Sequence, residues 1–288
     1  DLILNVYQTK DGFIWTTGYT GLTRFDGVSF TSFNSRTVPL MKTDNITSII
    51  YETDDSTLWI PTPGSGLLSY KNGAFKSYLT DSTSLSFMGI TDTKELLLQV
   101  GVRNQNYVLF DTNLKTVKSI TRSQRIELLK EGKISNKYRS IKDRSGNLWI
   151  YSDALYRYKD GEMNKITPKE GFFPERRYFQ GYADSKNRFW FISTKGLFLW
   201  DGQSFQPYPG MEDIIFVGSG ATSTGLMLED SKGGIWLATA SGLAYLDAQS
   251  NRFEFYPKNE KLLSRLVHNI LEDKEGNIWV SSANGLIK

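Results

Sequence analysis

Six of the seven tryptophans in this chain recur at a near-constant interval. Trp15, Trp59, Trp149, Trp190, Trp236 and Trp279 are separated by 44, 90, 41, 46 and 43 residues. Each sits in an apolar run, namely "FIWTT", "LWIP", "LWIY", "FWFI", "IWLA" and "IWVS". A period in the forties, kept along 288 residues, belongs to a repeat architecture and excludes an ordinary sandwich. The gap of 90 spans two periods, so a seventh copy is expected between them. The segment "ITDTKELLLQVGVRNQNYVLFD" supplies it, with Leu98 expected in the tryptophan's place.

Every copy has the same anatomy. An apolar strand comes first, as in "SIIYE" or "NILED". A turn follows, with Asp143, Asp184, Asp230 and Asp273 six residues before their tryptophans. Gly146, Gly233 and Gly276 stand three residues before theirs, which suits a tight turn with a positive φ. The tryptophan strand is next, then a Gly-Leu pair at 21–22, 66–67, 196–197, 242–243 and 285–286. A third strand ends in "FDG", "YKNG", "YKDG" or "WDG", which predicts type I′ hairpins. A short fourth strand closes the unit: "VSFTSF", "GAFKSY", "QSFQPY", "NRFEFY".

Four short antiparallel strands per repeat define a propeller blade, and one blade alone has no way to bury both its faces. The expected fold is all-β: a seven-bladed β-propeller of four-stranded antiparallel blades, the last one incomplete. The blades are expected near 1–34, 45–79, 85–121, 137–167, 178–209, 224–257 and 265–288. Trp15, Trp59, Trp149, Trp190, Trp236 and Trp279 are then packing wedges of the blade core rather than sugar platforms. The seventh copy runs out at "GLIK", without an outer strand. An open sheet edge is a liability, so the sequence is expected to be a piece of a longer chain.

The element "D-x-x-G-N-I/L-W-I/V-x-[ST]-x-x-G-L" resembles the two-component regulator propeller repeat. It is carried here by "EDKEGNIWVSSANGL", "EDSKGGIWLATASGL" and "KDRSGNLWIYSDAL", with "DGFIWTTGYTGLTRFDG" similar to an opening repeat. Blade 3 departs from it, lacking both the tryptophan and the turn Asp-Gly, and Ala154 replaces the usual glycine of blade 4. The resemblance implies the periplasmic sensing region of a membrane-bound signalling protein whose output is a histidine kinase or another enzyme elsewhere in the chain. It also implies recognition of oligosaccharides. The partners expected are an oligosaccharide, other domains of the same chain, and a second copy in a homodimer.

Composition narrows the chemistry. The 34 basic and 31 acidic residues nearly cancel, which argues against a nucleic-acid partner. No apolar run is long enough for membrane insertion by a helix. There is no cysteine and a single histidine, His268, so no multi-histidine or thiolate metal site is expected, and no cofactor. No "GxSxG" elbow accompanies His268, and the Gly-rich "GSGATSTG" at 218–225 lacks the lysine of a phosphate-binding loop. The fragment is therefore expected not to be an enzyme. A carbohydrate lyase using tyrosine, arginine or His268, and a docking module without small-molecule ligand, are the alternatives.

Binding residues gather in loops on rigid scaffolds. Two loops combine arginines with aromatics. "ITRSQRIELLKEGKISNKYR" carries Arg122, Arg125, Tyr138 and Arg139, and includes a short helix expected to start at a serine. "TPKEGFFPERRYFQG" carries Phe173, Arg176, Arg177 and Tyr178. Blade 3 adds Arg103, Asn104 and Tyr107 where the repeat departs from type. An aromatic face covers a pyranose and a guanidinium fork grips a carboxylate or sulfate, so these residues and His268 are the candidate ligand contacts. The same loops hold glutamates and would equally serve as solvated surface or pack on a neighbouring domain.

Overall fold

The structure, a computed structural model, describes residues 2–80, 84–101, 106–135, 140–143, 145–151, 155–166, 179–193, 196–211, 225–239, 242–256 and 267–288. The chain forms two compact units, Asp1–Asn136 and Lys137–Lys288. The first unit holds blades 1 (3–33), 2 (51–78) and 3 (85–120). The second holds blades 4 (140–165), 5 (179–207), 6 (227–256) and 7 (267–287). The fold is the seven-bladed β-propeller, its sheets antiparallel with strands in sequence order except for a strand added to blade 3, and blade 7 has three strands.

Burial is graded across each sheet. The second strands Ile14–Gly18 and Leu58–Thr62 are buried at every position, whereas the fourth strands Phe30–Phe33 and Ala74–Tyr78 alternate or lie open. A strand sandwiched between two sheets hides both faces, which is why these segments read as continuous apolar runs. The tryptophan projects toward the next blade. Trp15 shares a buried cluster with Leu58 and Ile60, and Trp59 with Leu96 and Leu98. In the second unit Trp149 clusters with Phe189 and Phe191, and Trp190 with Ile235 and Leu237. Each wedge thus meets the two residues flanking the tryptophan position of its neighbour. Trp149 also stacks on Phe189, ring centroids 4.3 Å apart. Trp236 is only half-buried.

The Gly-Leu pair has a steric cause. Gly21 has φ +108°, and a Cβ there would sit 2.3 Å from the carbonyl oxygen of Phe33. The third strand starts so close to the end of the fourth that no side chain fits.

Blade 3 corrects two expectations. The turn after its first strand is closed by Lys94 N–H donating to Thr91 C=O, and Glu95 N–H donates to Thr91 Oγ1. Thr91 therefore occupies the turn position of Asp143, and the residue six further on is Leu97, not Leu98. Leu97 pairs with Leu109 as Trp15 pairs with Arg24. A bulge in the first strand, between the partners of Leu97 and Leu98, moves the register by one. The blade also has five strands, because Ile134–Ser135 pairs with the free edge of Leu85–Thr91.

The helix Arg122–Lys130 connects the outer strand of blade 3 to that added strand. Its cap is Thr121 rather than a serine. Thr121 Oγ1 accepts from Gln124 N–H while Gln124 Oε1 accepts from Thr121 N–H, a reciprocal capping box. Arg125 and Leu129, one turn apart, form its buried face.

The hairpins divide into two kinds. Asn72-Gly73 and Asp160-Gly161 have both φ angles positive, as type I′ turns require. "FDG" and "WDG" do not follow that expectation. Phe25 pairs with Phe30 and Trp200 with Phe205, leaving four-residue loops. There the aspartate caps the turn: Asp26 Oδ1 accepts from Val28 and Ser29 N–H, and Asp201 Oδ1 from Gln203 and Ser204 N–H. These backbone donors hold both carboxyls down at a pKa of about 2.

Candidate functional site

The two ends of each blade do different work. One end carries the first turn and the third-strand hairpin. There the repeated aspartate makes two sets of bonds. Asp273 Oδ1 accepts from Asn277 N–H at 2.7 Å, closing the turn, and Oδ2 accepts from Trp279 Nε1 at 2.7 Å. The same link joins Trp149 to Asp143 (2.9 Å), Trp190 to Asp184 (2.8 Å) and Trp236 to Asp230 (3.0 Å). Burial pushes the Asp273 carboxyl up, but hydrogen bonds from Trp279 and Asn277 outweigh it and leave its pKa lowered. In blade 2 a threonine replaces the aspartate, and Trp59 Nε1 donates to Thr53 Oγ1. A buried indole N–H needs an acceptor, and the six-residue spacing delivers one.

The glutamate before the aspartate serves the neighbouring blade. Glu272 accepts from Ser231 N–H (2.7 Å) and Ser231 Oγ (2.6 Å) across blades 6 and 7. Glu229 accepts from Ser185 N–H at 2.7 Å, and Glu52 from Lys10 N–H at 2.9 Å. The dipeptide "ED" thus encodes one clip between blades and one within a blade. Sequence reasoning saw the aspartate as a turn former and missed both the indole bond and the glutamate. The signal was available: Glu52, Glu229 and Glu272 each precede the turn residue of their copy. These carboxylates are committed to scaffold bonds.

The opposite end carries the loops between second and third strands and the connections between blades, the segments that hold the candidate ligand contacts. Arg103, Asn104, Tyr138, Arg139, Phe173, Arg176, Arg177 and Tyr178 lie outside the described residues, as does most of the 218–225 segment and Ala154. Tyr107, Arg122, Arg125 and His268 are described. Tyr107 and Arg125 are brought together: the guanidinium carbon lies 5.1 Å from the tyrosine ring centroid, and the residues are 7% and 8% exposed. This pair seats the helix on the third strand of blade 3. Arg122 is exposed in the first turn of that helix. His268 belongs to the other unit, in the first strand of blade 7, and is 1% exposed. Its burial lowers the imidazole pKa and favours the neutral form.

The inner strands add polar links at this end. Asn5 Nδ2 donates to Thr47 C=O, and Gln180 Oε1 accepts from Leu226 N–H. Asn5 and Gln180 both stand two residues before the tyrosine that pairs with their blade's tryptophan. Their carboxamides join each inner strand to the next blade. No group of three or more His, Asp or Glu side chains that would hold a metal ion occurs among the described residues. No helix among them is long and apolar enough to cross a membrane.

The family model described as the two-component regulator propeller matches residues 261–284, which span the turn and tryptophan strand of blade 7. Among solved structures, the extracellular domain of a hybrid two-component system from B. thetaiotaomicron matches over 99% of this chain and 39% of its own, with 20% identity and a TM-score of 0.69. The extracellular domain of a second hybrid system from the same organism matches over 99% and 37%, with 17% identity and a TM-score of 0.71. PorZ, a surface component of the type-IX secretion system of Porphyromonas gingivalis, matches over 98% and 46%, with 15% identity and a TM-score of 0.65. The chain spans less than half the length of these three structures. A search of the curated proteins found no match.

Proposed function

We propose that this propeller, built of repeats of the two-component regulator type, is a sensing module in the extracytoplasmic part of a membrane-bound signalling protein. The observation that carries the reading is the regulator-type repeat in blade 7, matched at residues 261–284, within a fold similar throughout to extracellular domains of two-component systems. The turn ends are occupied by scaffold bonds at Asp143, Asp184, Asp230 and Asp273, so we assign the ligand to the loop end. We read the module as periplasmic and as binding its ligand rather than transforming it. It relies on other domains of the same chain for output.

The ligand we propose is an oligosaccharide, held by the arginine–aromatic loops that include Arg103, Arg139, Phe173, Arg176, Arg177 and Tyr178. Guanidinium forks would grip acidic groups and aromatic faces would cover the rings. A thermal-shift series with acidic and neutral oligosaccharides, run at two salt concentrations, tests this. A ligand at a hundred times its Kd adds about 2.7 kcal/mol and raises Tm by several degrees. A selective rise that is lost in the Arg176→Ala/Arg177→Ala variant is the expected result. No rise with any oligosaccharide would overturn the sugar reading and favour a surface that docks protein.

A further inference from the structure

We infer that residues 121–135 are a strap that docks on blade 3 in place of a tryptophan wedge and opens as one unit. The inference concerns a motion of the scaffold and holds whatever the ligand is. Leu97, at the wedge position, is smaller than the indole it replaces, and it pairs with Leu109. Side chains alternate along a strand, so Leu97, Leu109 and Tyr107 share one face of the blade. The opposite face carries Leu96, Leu98 and Phe110, packed with Trp59 of blade 2. Leu97, Leu109 and Tyr107 are buried nonetheless. The helix Arg122–Lys130 lies on their face, since Arg125 stacks on the Tyr107 ring, and Leu129, one turn on, is buried with it. Volume that a tryptophan supplies from within the sheet is supplied here by a segment laid over it.

The way the segment is held makes it separable. A helix of nine residues does not persist alone in water, so its order depends on docking. Arg122, Ser123, Gln124, Glu127 and Glu131 are exposed, whereas Leu96, Leu97 and Leu98 of the strand beneath are fully enclosed. A region that encloses few side chains opens at a lower free energy than the core that carries it. The far end of the strap is tied to the blade by Asp92 N–H donating to Lys133 C=O at 2.9 Å, and by Ile134–Ser135 pairing with Thr91 and Ile90. Helix and strand are coupled through the turn between them. Glu131, Gly132 and Lys133 N–H donate back to the carbonyls of Glu127, Leu129 and Leu128. When the strap leaves, it bares Leu97, Leu109 and Tyr107 and frees the inner edge of the blade at Ile90 and Thr91. The candidate ligand residues Tyr138 and Arg139 follow it directly in the chain.

Native-state amide hydrogen exchange of the 288-residue chain, in a series of low urea concentrations, tests the strap. The N–H groups of Arg125, Glu131, Lys133 and Asp92 are expected to exchange through one opening, with a common dependence on urea. Their exchange should be at least about tenfold faster than that of Leu96, Leu98 and Leu109. Asp92 is the discriminating probe. It belongs to the turn of the blade, and its acceptor, Lys133 C=O, departs only with the strap. Arg125→Ala should speed all four amides about equally and leave Leu96, Leu98 and Leu109 as they were. An Asp92 amide that stays protected while the helix exchanges would show a fraying helix and overturn the strap. Exchange of all seven amides at one rate, or loss of the fold in Arg125→Ala, would make the segment an integral part of the blade and overturn it as well.

Discussion

Blades 3 and 7 solve the same packing problem with different residues. Blade 7 closes its turn with Asp273 and uses the second carboxylate oxygen to hold Trp279. Blade 3 closes the equivalent turn with Thr91, whose single hydroxyl reaches Glu95 N–H and has no indole to serve. Its central strand buries Leu96, Leu97 and Leu98 completely instead. It then adds a capped helix and a fifth strand on the inner edge, neither of which occurs among the described residues of blade 7. The comparison separates two properties of the repeat. The wedge position must be filled by a large apolar group, while the turn residue must supply an acceptor only where that group carries an N–H, as Asp273 does for Trp279 and Thr53 for Trp59.

That separation is open to direct attack. Trp190→Ala should cost about 3–5 kcal/mol in denaturant unfolding, and Leu97→Ala about 2–5 kcal/mol, since both leave cavities in a full core. A loss below about 1 kcal/mol for Leu97→Ala would show that blade 3 is not held by its wedge. The half-buried Trp236 should lose less than Trp190 on truncation.

Removing the acceptor comes next in size. Asp273→Ala orphans the Trp279 indole N–H and the Asn277 N–H, at about 1–3 kcal/mol, and Thr91→Ala, which orphans one N–H, should cost less. The pH dependence gives a second reading. A carboxyl whose folded pKa is lowered stabilises the fold above its unfolded pKa, and that contribution disappears as pH falls through the folded value. Asp273, Asp26 and Asp201 are all lowered from 3.8, the last two to about 2, so stability should fall between about pH 4 and 2. Asp273→Asn should flatten part of that slope. His268 acts at milder pH. Its pKa is lowered from 6.5 by burial, so the unfolded chain takes up the proton first and stability should begin to drop below about pH 6.5. As the only histidine, His268→Asn should remove that step, and a slope that persists would contradict the assignment.

The smallest effect expected is at the helix of blade 3. Thr121→Ala breaks the reciprocal cap and should cost about 1 kcal/mol. A change near zero would mean that the packing of Arg125 and Leu129 alone holds the helix.

The blade repeat was legible because tryptophan and Gly-Leu answer to hard constraints, a fixed wedge volume and an approach that excludes a Cβ. The register of blade 3 was not legible to one residue. Three consecutive leucines look alike, and the bulge that sets them apart is a backbone feature. "FDG" and "YKNG" looked equivalent because both end in glycine, yet the strand pairing beyond them decides which dihedrals are needed. The two-residue strand Ile134–Ser135 is too short to leave a periodic signal. At the candidate site, Tyr107 and Arg125 were expected as ligand contacts from separate segments, and their burial against each other was not expected, since it depends on a helix docking back onto its own blade. The connection at 34–50 left no sequence signal, because its hold comes from Ile46 N–H donating to Gly18 C=O and Lys42 N–H donating to Ser65 Oγ, which no composition reveals.

The central claim is that one end of each blade is scaffold and the other receives the ligand. Amide hydrogen exchange of this chain with and without a saturating acidic oligosaccharide tests it most directly. Protection is expected in the arginine–aromatic loops, residues 102–105, 136–139 and 167–178, with the turns at Asp143, Asp184, Asp230 and Asp273 unchanged. Protection that appears at those turns and at the third-strand hairpins, with the loop end unaltered, would contradict the account.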